Sequence, residues 1–152
     1  MNVMFSIGLL PDLPSDMQSD KKANLGLIQI GAFEERFTAS FAYWGPPDYE
    51  RHWEEAIDRI VAGSSTSCLI TSMASPSTAS FIFWWPLYRL GNQVFIQNHI
   101  LFFERLIVPF NENDPYASVR PRRTIDEDGH AISEWVTSID DLRMFLQQKA
   151  IR

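Results

Sequence analysis

The 152-residue sequence has a single cysteine, Cys68, so no internal disulfide can form and a reducing compartment is allowed. Glycine is sparse, seven in all and never clustered, which leaves no glycine-rich loop to cradle a phosphate. Lys and Arg total 13 against 19 Asp and Glu. The resulting charge of −6 argues against nucleic acid as the main partner, because phosphate binding is driven by cationic side chains. The most apolar stretch, Ala79 to Tyr88, falls far short of the roughly 20 residues that a membrane span requires. The short apolar run near the first residue has no Lys or Arg before it and meets Pro11 and Pro14 soon after, so no export signal is expected. These absences lead to the expectation of a soluble cytoplasmic protein.

What the chain does have is apolar mass. A hydrophobic fraction of 45%, with 11 Phe, 5 Trp and 4 Tyr, excludes wholesale disorder and can fill one core. Residues 1–24 lack periodicity and read as an amino-terminal arm or tail, leaving 25–152 as a single domain. Leu25–Gly31 and Phe37–Trp44 read as strands on either side of "AFEER", and Gly45-Pro46-Pro47 as the stop to that pairing. From Asp48, the positions Tyr49, Trp53, Ile57, Ile60 and Val61 recur at helical spacing, with Asp48 as N-cap and Gly63 as the terminator. Cys68–Met73 reads as a further strand. The runs "SFIFWWPLYRL" and "QVFIQNHILFF" flank Gly91-Asn92, a two-residue hairpin turn that sets Leu90 against Gln93 and Trp84 against His99. Pro86 predicts a bulge or an unpaired position in that hairpin. Residues Arg105–Arg123 read as a long loop. A last strand, "HAISEWV", precedes a helix opened by a Ser138/Asp141 capping box, with Ile139, Leu142, Phe145 and Leu146 as its apolar stripe. The fold class is therefore α+β.

The one cluster of chemistry-bearing residues is Asp126-Glu127-Asp128-Gly129-His130. A calcium loop started at Asp126 would need a closing Glu at its twelfth position, which is Thr137. Neither His52 nor His99 lies at ligand spacing from His130. "DEDG" therefore reads as a hairpin tip, where Asp and Gly suit a tight turn. His99 reads as a hydrogen-bonded structural residue and Cys68 as an inert buried thiol. The serines between 64 and 80 lack a nucleophile elbow. The basic run "RPRR" at 120–123 is expected to pair with the acids of 126–128. No catalytic, cofactor or metal constellation emerges, and the expectation is a protein that is not an enzyme.

Taken in order, "FAYWGPPDYERHWEEAI", "SFIFWWPLYRLGNQVFIQNHILFFE" and "DEDGHAISEW" with its following helix resemble the immunity proteins of contact-dependent growth inhibition systems. The similarity runs from about Phe41 to Phe145, and points to the enterobacterial group whose fold is compared with the Whirly single-stranded DNA-binding domain. That resemblance implies one strongly twisted antiparallel sheet flanked by helices. It also implies stoichiometric, high-affinity neutralisation of a toxin delivered by a neighbouring cell, commonly a nuclease, bound one-to-one, with no catalytic residues and no cofactor. A nuclease needs a basic cleft, and an acidic inhibitor complements it. Asp126, Glu127 and Asp128, joined by Glu112 and Asp114 from the long loop, are the expected toxin-binding acids. The alternative function is a single-stranded nucleic-acid-binding domain, suggested by the Whirly-like scaffold and by "RPRR". A small hydrolase built on His130 ranks third.

Overall fold

The structure, a computed structural model, describes residues 5–11 and 22–151. Its eight strands fall into two antiparallel sheets, where the resemblance implied one. The first has the order β1 (Phe5–Leu9), β2 (Ala23–Ile30), β3 (Phe33–Ser40). Its register sets Phe5 against Ile30 and Ile30 against Phe33. The amino-terminal arm therefore needs correcting. Phe5 and Ile7 alternate into the core, as a half-buried strand demands, and Phe5 meets Phe145 edge to face at 5.5 Å. The boundary drawn at residue 25 falls inside β2, while 1–4 and 12–21 lie outside the described residues. The β2–β3 turn is only Gly31-Ala32, with Gly31 at φ 61°, so most of "AFEER" belongs to β3. Gly26 is needed for a different reason. The Phe37 ring lies over it so closely that a Cβ there would stand 2.3 Å from the ring.

Helix α1 (Pro46–Val61) has Gly45 as its N-cap and so begins three residues earlier than an Asp48 cap predicts. Prolines end a ladder, but they also suit the first helical turn, whose N–H groups have no partner inside the helix. Asp48 consequently sits third in the helix rather than at its cap. Its Oδ2 accepts the Gly45 N–H at 2.9 Å, closing the entry to the helix from inside.

The second sheet has the order β4 (Thr66–Ser72), β5 (Phe81–Leu90), β6 (Gln93–Gln97), β8 (Glu134–Ser138), with β7 (His99–Phe102) also on β5, beyond β6. The hairpin register holds as read: Leu90 faces Gln93 and Trp84 faces His99. Pro86 causes no slip, because it lies between the Leu87–Ile96 and Trp84–His99 pairs, where the β5 ladder is interrupted. The irregularity lies instead in β4, between Ile70 and Ser72.

The outer edge of β4 is covered by side chains of α1. His52 Nε2 accepts the Ile70 N–H at 2.8 Å, Trp53 Nε1 donates to the Ile70 carbonyl at 2.8 Å, and Arg59 Nε donates to the Thr66 carbonyl at 3.1 Å. An edge that would otherwise recruit another strand is thereby closed. Only a neutral imidazole can accept that amide, and burial pushes the His52 pKa down to about 3. The same helix buries Tyr49, Ala56, Ile57 and Ile60 in the core shared by the two sheets. Helix α2 (Ile139–Ile151) follows β8 directly, and the Ser138 hydroxyl accepts the Asp141 N–H at 3.1 Å as the capping spacing requires. Ile139, Leu142 and Phe145 pack inward. No helix among the described residues is long and apolar enough to cross a membrane.

Candidate functional site

The long loop returns across one face of the second sheet and leaves a cleft of about 360 Å³ between them. Trp84, Pro86 and Tyr88 of β5 form its floor and His99–Phe102 of β7 one wall. Arg105, Arg120, Arg123 and the turn at Asp126–Asp128 also line it. Hydrogen bonds to the loop's main chain fix its course. Tyr88 Oη donates to the Arg120 carbonyl at 3.0 Å, Gln97 Nε2 to the Arg123 carbonyl at 2.8 Å, and Arg120 Nη2 to the Arg105 carbonyl at 3.0 Å. Tyr88 is hydrogen-bonded and buried, and burial raises its pKa.

A second tie is ionic. Arg122 grips Glu134 through two parallel bonds of 2.9 and 2.6 Å and lies over the Phe95 ring at 4.2 Å. The guanidinium holds the Glu134 carboxyl below its ordinary pKa, with Gln97 Nε2 adding a further bond at 2.8 Å. This corrects the expected pairing of "RPRR" with the acids of 126–128: the basic run reaches Glu134 and carbonyl oxygens instead. A two-point fork on a carboxylate fixed by β8 is better placed than exposed acids on a turn tip. Gln97 spends its amide nitrogen on Arg123 and Glu134, so its oxygen accepts from His99 Nε2 at 2.7 Å. His99 is thus the structural, hydrogen-bonded residue expected, and burial lowers its pKa. Cys68 is buried too, its thiol pKa raised by burial.

The turn at 126–130 has the geometry read from its sequence. Ile125 bridges Ala131, Asp126 N–H donates to the His130 carbonyl at 2.8 Å, and Gly129 takes φ 83°. Asp126 is committed to the turn, since its Oδ1 accepts the Asp128 and His130 amides at 2.9 Å each. Glu127 and Asp128 point to solvent with no ion pair among the described residues. Asp126, Asp128 and His130 each offer one ligand atom within 4.8 Å of the others. All three are exposed and one Asp126 oxygen is already occupied, so the geometry provides no built cage. Of the other expected acids, Glu112 bonds the Tyr43 hydroxyl, and Asp114 precedes the 3-10 turn Pro115–Ser118. Neither lines the cleft, which of the five acids holds Asp126, Glu127 and Asp128.

Residues 39–145 match the family model of the CdiI N-terminal domain, which is most of the chain. The chain belongs to the CdiI family. It is 31% identical over 118 residues to the immunity protein CdiI of Enterobacter cloacae, covering 78% of this chain and 81% of that protein. The likeness extends to three dimensions. A chain of the CdiA-CT/CdiI toxin and immunity complex from Enterobacter cloacae superposes with a TM-score of 0.84 at 28% identity, over 98% of this chain and 100% of that one. The cleft residues Trp84, His99 and Asp126–Asp128 all lie within the matched segment. Sequence reasoning found Trp84, His99 and the tip, but missed that Tyr88, Gln97 and Glu134 hold the loop over them. The signal was faint: Gln97 ends β6 and Glu134 opens β8, and polar residues are ordinary at strand ends.

Proposed function

We propose that this chain is the immunity protein of a contact-dependent growth inhibition system and neutralises a cognate CdiA C-terminal toxin by binding it. The observation that carries this is the full-length likeness to a chain of a CdiA-CT/CdiI complex, at an identity of 28%. The inhibition is stoichiometric rather than catalytic, one immunity chain to one toxin domain, and takes place in the cytoplasm. The toxin is a basic nuclease, a reading supported by the chain's −6 charge, which complements a phosphate-binding cleft and speeds encounter. Glu127 and Asp128 provide the acidic contact at the tip, with Asp126 holding the turn that presents them. Glu112 and Asp114 add to the field from the loop. An interface of roughly 1,200–2,000 Å² in total suits this role.

The test is co-expression of the tagged chain with the open reading frame encoded immediately upstream. Recovery of a basic toxin fragment at equal stoichiometry, with growth restored, is the expected result. Persistent toxicity with no fragment recovered overturns the reading.

A further inference from the structure

Four consecutive residues, His99 to Phe102, all line the cleft. Alternate residues of a strand face opposite ways, so a cleft touched by all four meets the strand along its edge. The ladder shows which backbone groups point there. Phe103 N–H donates to the Ser80 carbonyl at 3.0 Å, and in the same register His99 and Leu101 turn their amides to β5. Antiparallel alternation then directs the N–H and C=O groups of Ile100 and Phe102 outward, away from β5. Among the described residues, no other segment hydrogen-bonds to them. The contrast with β4 is direct, since α1 closes that edge with three side chains. The sequence of β7, His-Ile-Leu-Phe, has neither proline nor carboxylate to discourage pairing.

The two faces beside this edge differ. On one, Phe81, Phe83 and Ile100 are between 42% and 46% exposed and form an apolar strip with Phe102. On the other lies the cleft with the carboxylates of Glu127 and Asp128, which make no ion pair among the described residues. Arg105, Arg120 and Arg123 in the same cleft are engaged with the Phe102 ring, the Arg105 carbonyl and the Ile125 carbonyl respectively.

We propose that the open edge of β7 takes up an extended segment of the toxin as an added strand, with apolar residues alternating with basic ones. Its apolar side chains continue the Phe81–Phe83–Ile100 strip, and its basic ones reach Glu127 and Asp128. The inference rests on the immunity reading above and adds the docking edge and the pattern of the segment docked. Charge selects the toxin over a second copy of this chain. A copy pairing through its own β7 brings no Lys or Arg to the tip and sets two acidic tips near one another.

Amide hydrogen exchange by NMR, on the free chain and on its complex with the cognate toxin fragment, tests this. The amides of Ile100 and Phe102 exchange quickly in the free chain and become protected in the complex, whereas those of His99 and Leu101 are protected in both. Ile100→Pro removes an outward N–H without touching the β5 ladder, and speeds toxin dissociation by about tenfold or more at an unchanged urea midpoint. If that variant is destabilised, Phe83→Lys serves, weakening binding through the apolar strip alone. Toxin bound with normal affinity while both amides stay unprotected overturns strand addition and leaves the immunity reading standing. Failure of the wild type to bind any toxin fragment overturns both. Protection that grows with concentration in the free chain, with self-association, assigns the edge to a second copy and refutes the proposal.

Discussion

Replacing His52 by Gln isolates the consequence of using a buried imidazole as a hydrogen-bond acceptor. In the folded chain His52 stays neutral down to about pH 3, because burial opposes its charge and the Ile70 amide occupies Nε2. In the unfolded chain it titrates near 6.5, its ordinary value. Below that pH the unfolded state therefore binds a proton that the folded state refuses, so stability rises with pH across this window and is lost as pH falls. The slope is about 1.4 kcal/mol per pH unit, and from pH 8 to pH 4.5 this one residue removes about 3 kcal/mol. With a urea m-value of about 2 kcal/mol/M, the midpoint falls by roughly 1.5 M over that range. His99, whose pKa is also lowered by burial, and Glu134 add acid sensitivity of the same sign, but both remain in the variant and cancel in the comparison. Gln keeps an oxygen acceptor at similar reach and cannot protonate. The assay is urea unfolding followed by tryptophan fluorescence at several pH values, with Trp53 beside the substituted position. The variant's curve should be flatter than the wild type's by the amount above, whatever its stability at pH 8. Parallel curves for the two proteins would refute the neutral-acceptor argument.

Other substitutions probe separate links. Gly26→Ala places a methyl against the Phe37 ring and pushes it from its edge-on contact with Trp53 at 5.8 Å. The expected loss is about 1–3 kcal/mol, read as a fall in Tm of roughly 3–10 °C. Arg122→Ala returns the Glu134 carboxyl toward its ordinary pKa, measurable by NMR titration. The stability lost in that variant is present above pH 4.5, the unfolded value, and shrinks as acid protonates Glu134; a gap that widened in acid would contradict the assignment. Glu127→Gln with Asp128→Asn, leaving Asp126 to close the turn, should slow toxin association roughly threefold or more and flatten its salt dependence. An association rate unaltered across salt concentrations removes the tip from the contact.

The legible parts of this fold were those specified within a short stretch of chain. Gly91-Asn92 fixed the hairpin, and with it Trp84 opposite His99; Ser138 and Asp141 fixed the start of α2. Asp126 and Gly129 announced a turn because each suits its backbone role locally. What stayed hidden depended on distant partners. The alternation Phe5-Ile7 is a strand signal, but a five-residue strand becomes convincing only when β2 is beside it. Pro46 and Pro47 carry two opposite meanings, end of ladder and first helical turn, and tertiary packing of α1 on β4 decides between them. At the candidate site the tip was visible, while the place of Glu112 was not, since it is drawn to Tyr43 by a hydrogen bond that no spacing rule contains.

The way the long loop is fastened has a consequence for change over generations. Tyr88, Gln97 and Arg120 all hold it by carbonyl oxygens, of Arg120, Arg123 and Arg105, and a carbonyl is offered by every amino acid. Those three bonds are indifferent to the side chains that the loop turns to solvent between them, while Leu106, Phe110, Tyr116 and Val119 pack against the core. Ile107, Val108 and Asn113 can be exchanged, singly or together, with the anchorage unaltered. An inhibitor lineage pursuing altered toxins can therefore redraw its outward text on an unchanged binding, without first rediscovering how to fold.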